Sequence, residues 1–197
     1  MVLFTKGKNA MHSIPSLRCL IFLSLAAPLA GCGGLAAIAG KAPEIPESQK
    51  PPRNVMVRLH AAPKLNVDAK GRPLALVARV YKLRQNAAFE TAPYSAFLTP
   101  GAEKEAFGAD LVEVKDVTLV PGQHYETLEK VTREAGYVGV VALFHSPAPQ
   151  RWRLAFSTAE AEKAGLTVGL HACALSAGAG ASPTAADVKT LGPARCQ

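Results

Sequence analysis

The chain has 197 residues, a length that holds one domain or one domain with tails. Hydrophobic residues at 49% against 19% charged exclude a disordered chain, and fifteen prolines with sixteen glycines argue against a helical bundle. The formal charge of +7 is weak evidence for nucleic-acid binding, because Lys6, Lys8 and Arg18 fall in the first 31 residues, which hold no acid, and no basic cluster follows.

Residues 19–30, CLIFLSLAAPLA, are apolar and uncharged, with a basic flank before them and Ala30-Gly31 after. The run is too short for a bilayer, which takes roughly 20 residues. A basic flank, a short apolar core and small residues make a signal peptide over 1–31, begun at Met1 or Met11. Leu29-Ala30-Gly31-Cys32 resembles the lipobox of bacterial lipoproteins. That resemblance implies that Cys32 carries a covalent lipid and becomes the mature N-terminus. Gly33, standing where an Asp would retain the protein at the inner membrane, implies the periplasmic face of the outer membrane. The alternative is an ordinary secretory signal cut nearby, with Cys32 a free or paired thiol.

Residues 32–53 read as the lipidated N-terminus and a tether, since Pro43, Pro46, Pro51 and Pro52 disfavour regular structure. Such a segment reaches about 25 Å as a coil and about 65 Å as polyproline II.

Residues 54–175 alternate as strands. Val55, Val57, Leu59 and Ala61 make a half-buried strand that Pro63 stops. A polar loop, PKLNVDAKGRP, covers 63–73, and a strand follows at 74–83 with Tyr81 and Leu83 on its second face. Residues 86–98 read as a helix with Thr91 as cap, and 102–108 as a second short helix. Strands are expected at 111–120, with a bulge near Lys115-Asp116, and at 124–131, 137–144, 151–156 and 166–175. In the 151–156 strand, Trp152, Leu154 and Phe156 point inward. Six or seven strands with helical material after the second make a mainly β, antiparallel sandwich. Residues 176–197 read as a flexible tail.

Cys19 leaves with the signal, so Cys173 and Cys196 remain beside Cys32. An even pair in an oxidising compartment reads as a disulfide, worth about 3 kcal/mol in the chain-entropy model. The alternative is two unpaired thiols. Cys173 and His171 share the outward parity of the last strand. His60, His124, His145 and His171 stand in no metal-ligand spacing, and no nucleophile or phosphate-loop motif is present. The reading is of a chain that is not an enzyme, with no metal and no cofactor beyond the lipid.

The residues also carry a family resemblance. Leu59-His60-Ala61-Ala62, Leu65-Asn66-Val67-Asp68, Gly71-Arg72-Pro73, Val77 to Leu83, Phe89 to Leu98, Leu119-Val120-Pro121-Gly122, Tyr137 to Ala142 and Trp152-Arg153 follow one another in order. In that order they resemble the outer-membrane lipoprotein subunit of type VI secretion systems, the TssJ/VasD-like family. The resemblance implies a transthyretin-like sandwich. It implies a lipid-anchored periplasmic subunit that binds the periplasmic C-terminal domain of the large inner-membrane subunit and helps assemble the trans-envelope complex, with neither nucleic acid nor small-molecule substrate. It also makes the first loop a partner contact, by position Lys64, Leu65, Asn66, Val67, Asp68, Lys70, Gly71 and Arg72. Leu65 and Val67 are expected as apolar anchors, and Asp68, Lys70 and Arg72 as setters of register and on-rate. The plainer alternative is a turn in which Asn66 and Asp68 bond their own backbone. The competing function is an envelope sandwich module that binds carbohydrate or another small ligand.

Overall fold

The computed structural model describes residues 45–99, 101–185, 194 and 196. The signal peptide, Cys32, the first part of the tether and residues 186–193 of the tail lie outside the described residues.

In β1 (Arg53–Ala61), Val55, Val57, Leu59 and Ala61 are buried and the residues between them are not, as period two requires. β2 (Leu76–Leu83) buries Leu76, Ala78 and Val80 on one face and Tyr81 and Leu83 on the other. β3 (Leu111–Leu119), β4 (His124–Val131), β5 (Tyr137–Ala142), β6 (Arg153–Ser157), β7 (Leu166–Leu170) and β8 (Leu175–Ala177) complete two four-stranded sheets. The strand orders are β4-β1-β7-β8 and β3-β2-β5-β6. Buried residues of both sheets share one core. The fold is mainly β, as expected, and among the described residues all strand ladders but one are antiparallel. The exception is β1 with β7, which run parallel. A helix, α3 (Thr158–Ala164), carries the chain from β6 into the other sheet, and such a crossover lets β7 enter in the direction of β1.

Several local expectations give way. Alternation over 157–165 reveals nothing, yet these residues include α3. The expected strand 166–175 is two, β7 and β8, reversed over His171–Ala174, where the His171 N–H donates to the Ala174 carbonyl at 2.9 Å. Cys173 is therefore buried in a turn and not on an outward strand face. The expected helix 86–98 is broken into α1 (Ala87–Thr91) and a 3-10 turn, Tyr94–Phe97. Pro93 has no N–H to continue it, and the Thr91 hydroxyl donates back to the Ala87 carbonyl at 3.0 Å instead of capping. The second short helix is α2 (Ala102–Phe107). The bulge falls at Val112, because Lys82 pairs with Glu113 while Leu83 pairs with Leu111. The start of the tail is ordered along the edge of β6. Pro183 bridges Phe156, the Thr184 N–H donates to the Ala155 carbonyl at 2.8 Å, and Ala181 is buried.

The helical insertion covers the outer face of the β2–β5 sheet. Rings of Tyr81, Phe89, Phe97 and Phe107 meet with centroids 5.5–6.0 Å apart. Gly139 makes this possible, since a Cβ there would stand 2.6 Å from the Phe89 ring. Trp152 is buried as expected, but it packs on Tyr94 and Phe97 of the insertion and carries the Arg153 guanidinium over its face at 4.6 Å. Buried Glu103 accepts from Arg79 and, at 3.3 Å, from the Tyr81 hydroxyl, so its charge is paired.

Candidate functional site: the loop end of the sandwich

Strand registers place four connections at one end of the sandwich. Leu76 opposes Leu119, Ala78 opposes Ala142, His60 opposes His124, and Ala61 lies beside Leu170. The loops over 62–75, 120–123, 143–152 and 171–174 therefore gather there. Direct bonds tie them. The N–H groups of Asn66 and Val67 donate to the carbonyls of His171 and Ala172 at 3.1 and 3.0 Å, and the Gly122 N–H to Ala62 at 3.2 Å. The Ala148 N–H donates to the Cys173 carbonyl at 2.8 Å. Cys173 is bonded to Cys196, which returns the far end of the chain to this same cluster. β1 is nine residues long, so its start at Arg53 lies about 30 Å away at the opposite end.

Within the first loop the expected contact residues divide. Leu65 is fully buried in the core, so it anchors the loop to its own domain and cannot enter a partner's pocket. Asn66 is also buried, at φ +47°, a left-handed conformation that Asn tolerates better than most residues. Its amide donates to the Ala75 carbonyl at 2.9 Å, and its oxygen accepts from the His145 N–H at 2.7 Å. Asn66 thus locks the first loop to the β5–β6 loop. The Asp68 carboxylate accepts from the N–H groups of Lys70 and Arg72 at 2.8 and 2.9 Å and from the Arg72 guanidinium at 2.7 Å. These bonds, the Arg72 N–H foremost, hold its carboxyl below the usual aspartate range. Gly71, at φ +72°, turns the chain beneath that carboxylate. The turn reading therefore describes Asp68, which bonds its own turn, but not Asn66, which reaches across to another loop, and Val67 is half-buried.

What remains on the surface is basic. Lys64, Lys70 and Arg72 are exposed, and among the described residues neither lysine Nζ has an ion-pair or hydrogen-bond partner. Residues that the sequence reading left aside join them, namely Val120, His145, His171 and Arg151 from the other loops. His60 and His124 stand directly opposite on β1 and β4, with ring centroids 4.6 Å apart. The signal that finds these residues is strand alternation itself. When strands alternate in direction, the connections after the first, third and fifth fall at one end, which finds Val120, His145 and Arg151, whereas His171 lies in a reversal after the seventh strand that the sequence reads as one continuous strand.

A family model described as "Type VI secretion lipoprotein, VasD, EvfM, TssJ" matches residues 53–173, from the first residue of β1 to the cysteine of the β7–β8 turn. Comparison with curated proteins finds no match. Among solved structures, the T6SS lipoprotein TssJ1 from Pseudomonas aeruginosa shares 29% identity at a TM-score of 0.58, over 66% of this chain and 97% of that one. A chain of "T6SS protein TssM C-terminal domain (869-1107) from EAEC" shares 26% at 0.57, over 64% and 97%. A chain of the "Type VI membrane complex" shares 26% at 0.58, over the same shares. With more than half of its length matched, this chain belongs to the type VI secretion lipoprotein family.

Proposed function

We propose that the protein is an assembly subunit without catalysis. In this reading Cys32 is acylated and moors the chain to the periplasmic face of the outer membrane. The loop end binds the periplasmic C-terminal domain of the large inner-membrane subunit, TssM, and so helps seat the trans-envelope complex. The likeness to chains in the structures of a TssM C-terminal domain and of the type VI membrane complex carries this proposal. The fold supports it, because the tether joins at Arg53 and the loops lie at the far end of β1, away from the tethered end.

The carbohydrate-module reading finds less support. The Trp, Tyr and Phe side chains of the described residues are buried or half-buried, so none is displayed as a stacking platform.

Deleting residues 64–72 would be a poor test, since Leu65 and Asn66 belong to the core. Replacing exposed Ala69, Lys70 and Pro73 with Gly or Ser, and leaving the bonded Arg72 and the positive-φ Gly71 in place, is cleaner. The variant is expected to keep its unfolding temperature and lose co-purification with the periplasmic domain of the large subunit. Undiminished co-purification would remove this loop as the contact. A Cys32→Ser chain is expected to lose acylation and co-flotation with outer-membrane vesicles, and continued flotation would refute the anchor.

A further inference from the structure

The net charge of the described domain sits at one end. The four loops of the loop end hold four cations, Lys64, Lys70, Arg72 and Arg151, and one carboxylate, Asp68. The rest of residues 45–185 holds twelve cations and twelve carboxylates. The balanced part is also extensively paired, as in Arg58 with Glu126, Lys82 with Glu113 and Glu129, and Arg84 with Glu134. At the loop end Asp68 is committed to Arg72 and to two backbone N–H groups, so it neutralises neither lysine.

From this juxtaposition we infer that the surface docked on the loop end is a carboxylate-rich protein face, which Lys64 and Lys70 steer and hold in register. The inference deepens the proposal above and rests on it. A local surplus of positive charge, with Lys64 and Lys70 unpaired among the described residues, attracts an acidic partner over several ångströms, and the attraction raises the on-rate and weakens with salt. Anionic lipid headgroups share that chemistry. A protein face is favoured because the lipid-bearing end of the chain enters about 30 Å away, at the start of β1. The shape of the loop end fits the role, since Asn66, Asp68 and the Cys173–Cys196 bridge hold its loops in place before any partner arrives.

The test uses the acylated full chain in detergent and the purified periplasmic domain of the large subunit, with affinity measured from 50 to 300 mM NaCl. Wild-type binding is expected to weaken steadily with salt. Lys64→Glu with Lys70→Glu is expected to weaken it about tenfold at low salt, with the gap closing at high salt. Lys104→Glu with Lys163→Glu changes the net charge equally on exposed positions elsewhere and is expected to leave affinity within about twofold. Equal losses from the two double variants would overturn the inference. Tight but salt-independent binding would overturn it too, while leaving the loop end as the contact. No binding by the wild type would sink both this inference and the proposed function. Capture of the wild type by phosphatidylglycerol vesicles, lost in Lys64→Glu with Lys70→Glu while the protein partner binds both alike, would assign the surface to lipid instead.

Discussion

At the end of the sandwich where β1 begins, charges are closed among themselves. Glu47 meets Lys50 at 2.6 Å, Arg53 at 3.0 Å and Arg133 at 3.3 Å, and Glu162 meets Arg53 and Arg133 at 3.3 and 3.5 Å. Arg133 also donates to the Pro51 carbonyl at 2.7 Å. Residues 47–53, read from sequence as part of the tether, are therefore docked on the domain. At the end where β1 finishes, the loops are tied through backbone groups and a disulfide, while two lysines stay unpaired among the described residues. One end spends its charges on holding the chain where it leaves the fold. The other is held mainly by backbone bonds and a disulfide, with one internal ion pair between Asp68 and Arg72, which leaves Lys64 and Lys70 available for another molecule.

Changes that loosen the loop end give the largest expected effects. Removing the Cys173–Cys196 bridge by Cys196→Ala frees a 23-residue separation and is expected to cost about 3 kcal/mol in the chain-entropy model. Matching unfolding curves with and without reductant would show that the tail adds nothing to this end. Asn66→Ala leaves the Ala75 carbonyl and the His145 N–H without their partner and puts Ala at a positive φ. It is expected to cost about 2 kcal/mol in urea unfolding and to loosen the loop end, because buried unmet groups cost about 1–3 kcal/mol. A change below a few tenths would deny the lock between the two loops.

At the opposite end, Arg133→Ala removes only partly exposed pairs, so a loss of about 1 kcal/mol or less is expected, with partner affinity unchanged. A drop in affinity there would break the division between the two ends. The smallest effect is acid loosening of the first loop. A carboxyl held below its ordinary value stabilises the fold above that value, and the contribution is lost as pH falls through the lowered one. Amide exchange at Lys70 and Arg72, corrected for its intrinsic pH dependence, is therefore expected to stay slow from neutral pH down to the ordinary aspartate range and to quicken below it. Quickening already at pH 6 would show that Asp68 does not hold the loop.

Much of the fold was legible because burial on one face leaves a period-two trace. Val55 to Ala61 and Leu76 to Val80 report their own burial in this way, whereas Val138 to Ala142, buried on both faces, reads as a continuous apolar run. Leu65 misled for a related reason. One apolar residue in a polar loop has no period, and whether it plugs its own core or a partner's pocket depends on the loop's path. His171 to Leu175 misled because small residues alternate weakly, so a reversal within them leaves no mark. α3 leaves no mark in the sequence because its seven residues, Thr158–Ala164, make about two turns, carry little pattern of their own and fold where β6 and β1 present a surface to cover.

The order of strands and turns, the scarcity of charge in the core and the surplus of cations in particular loops were determined by the sequence alone, since each follows from local alternation and composition. Only the tertiary structure decided which groups tie those loops to one another, that β7 runs parallel to β1, and that Leu65 and Asn66 belong to the interior. Those outcomes depend on which strands pair across long stretches of chain, and pairing is settled by the combined burial of both sheets rather than by any one segment.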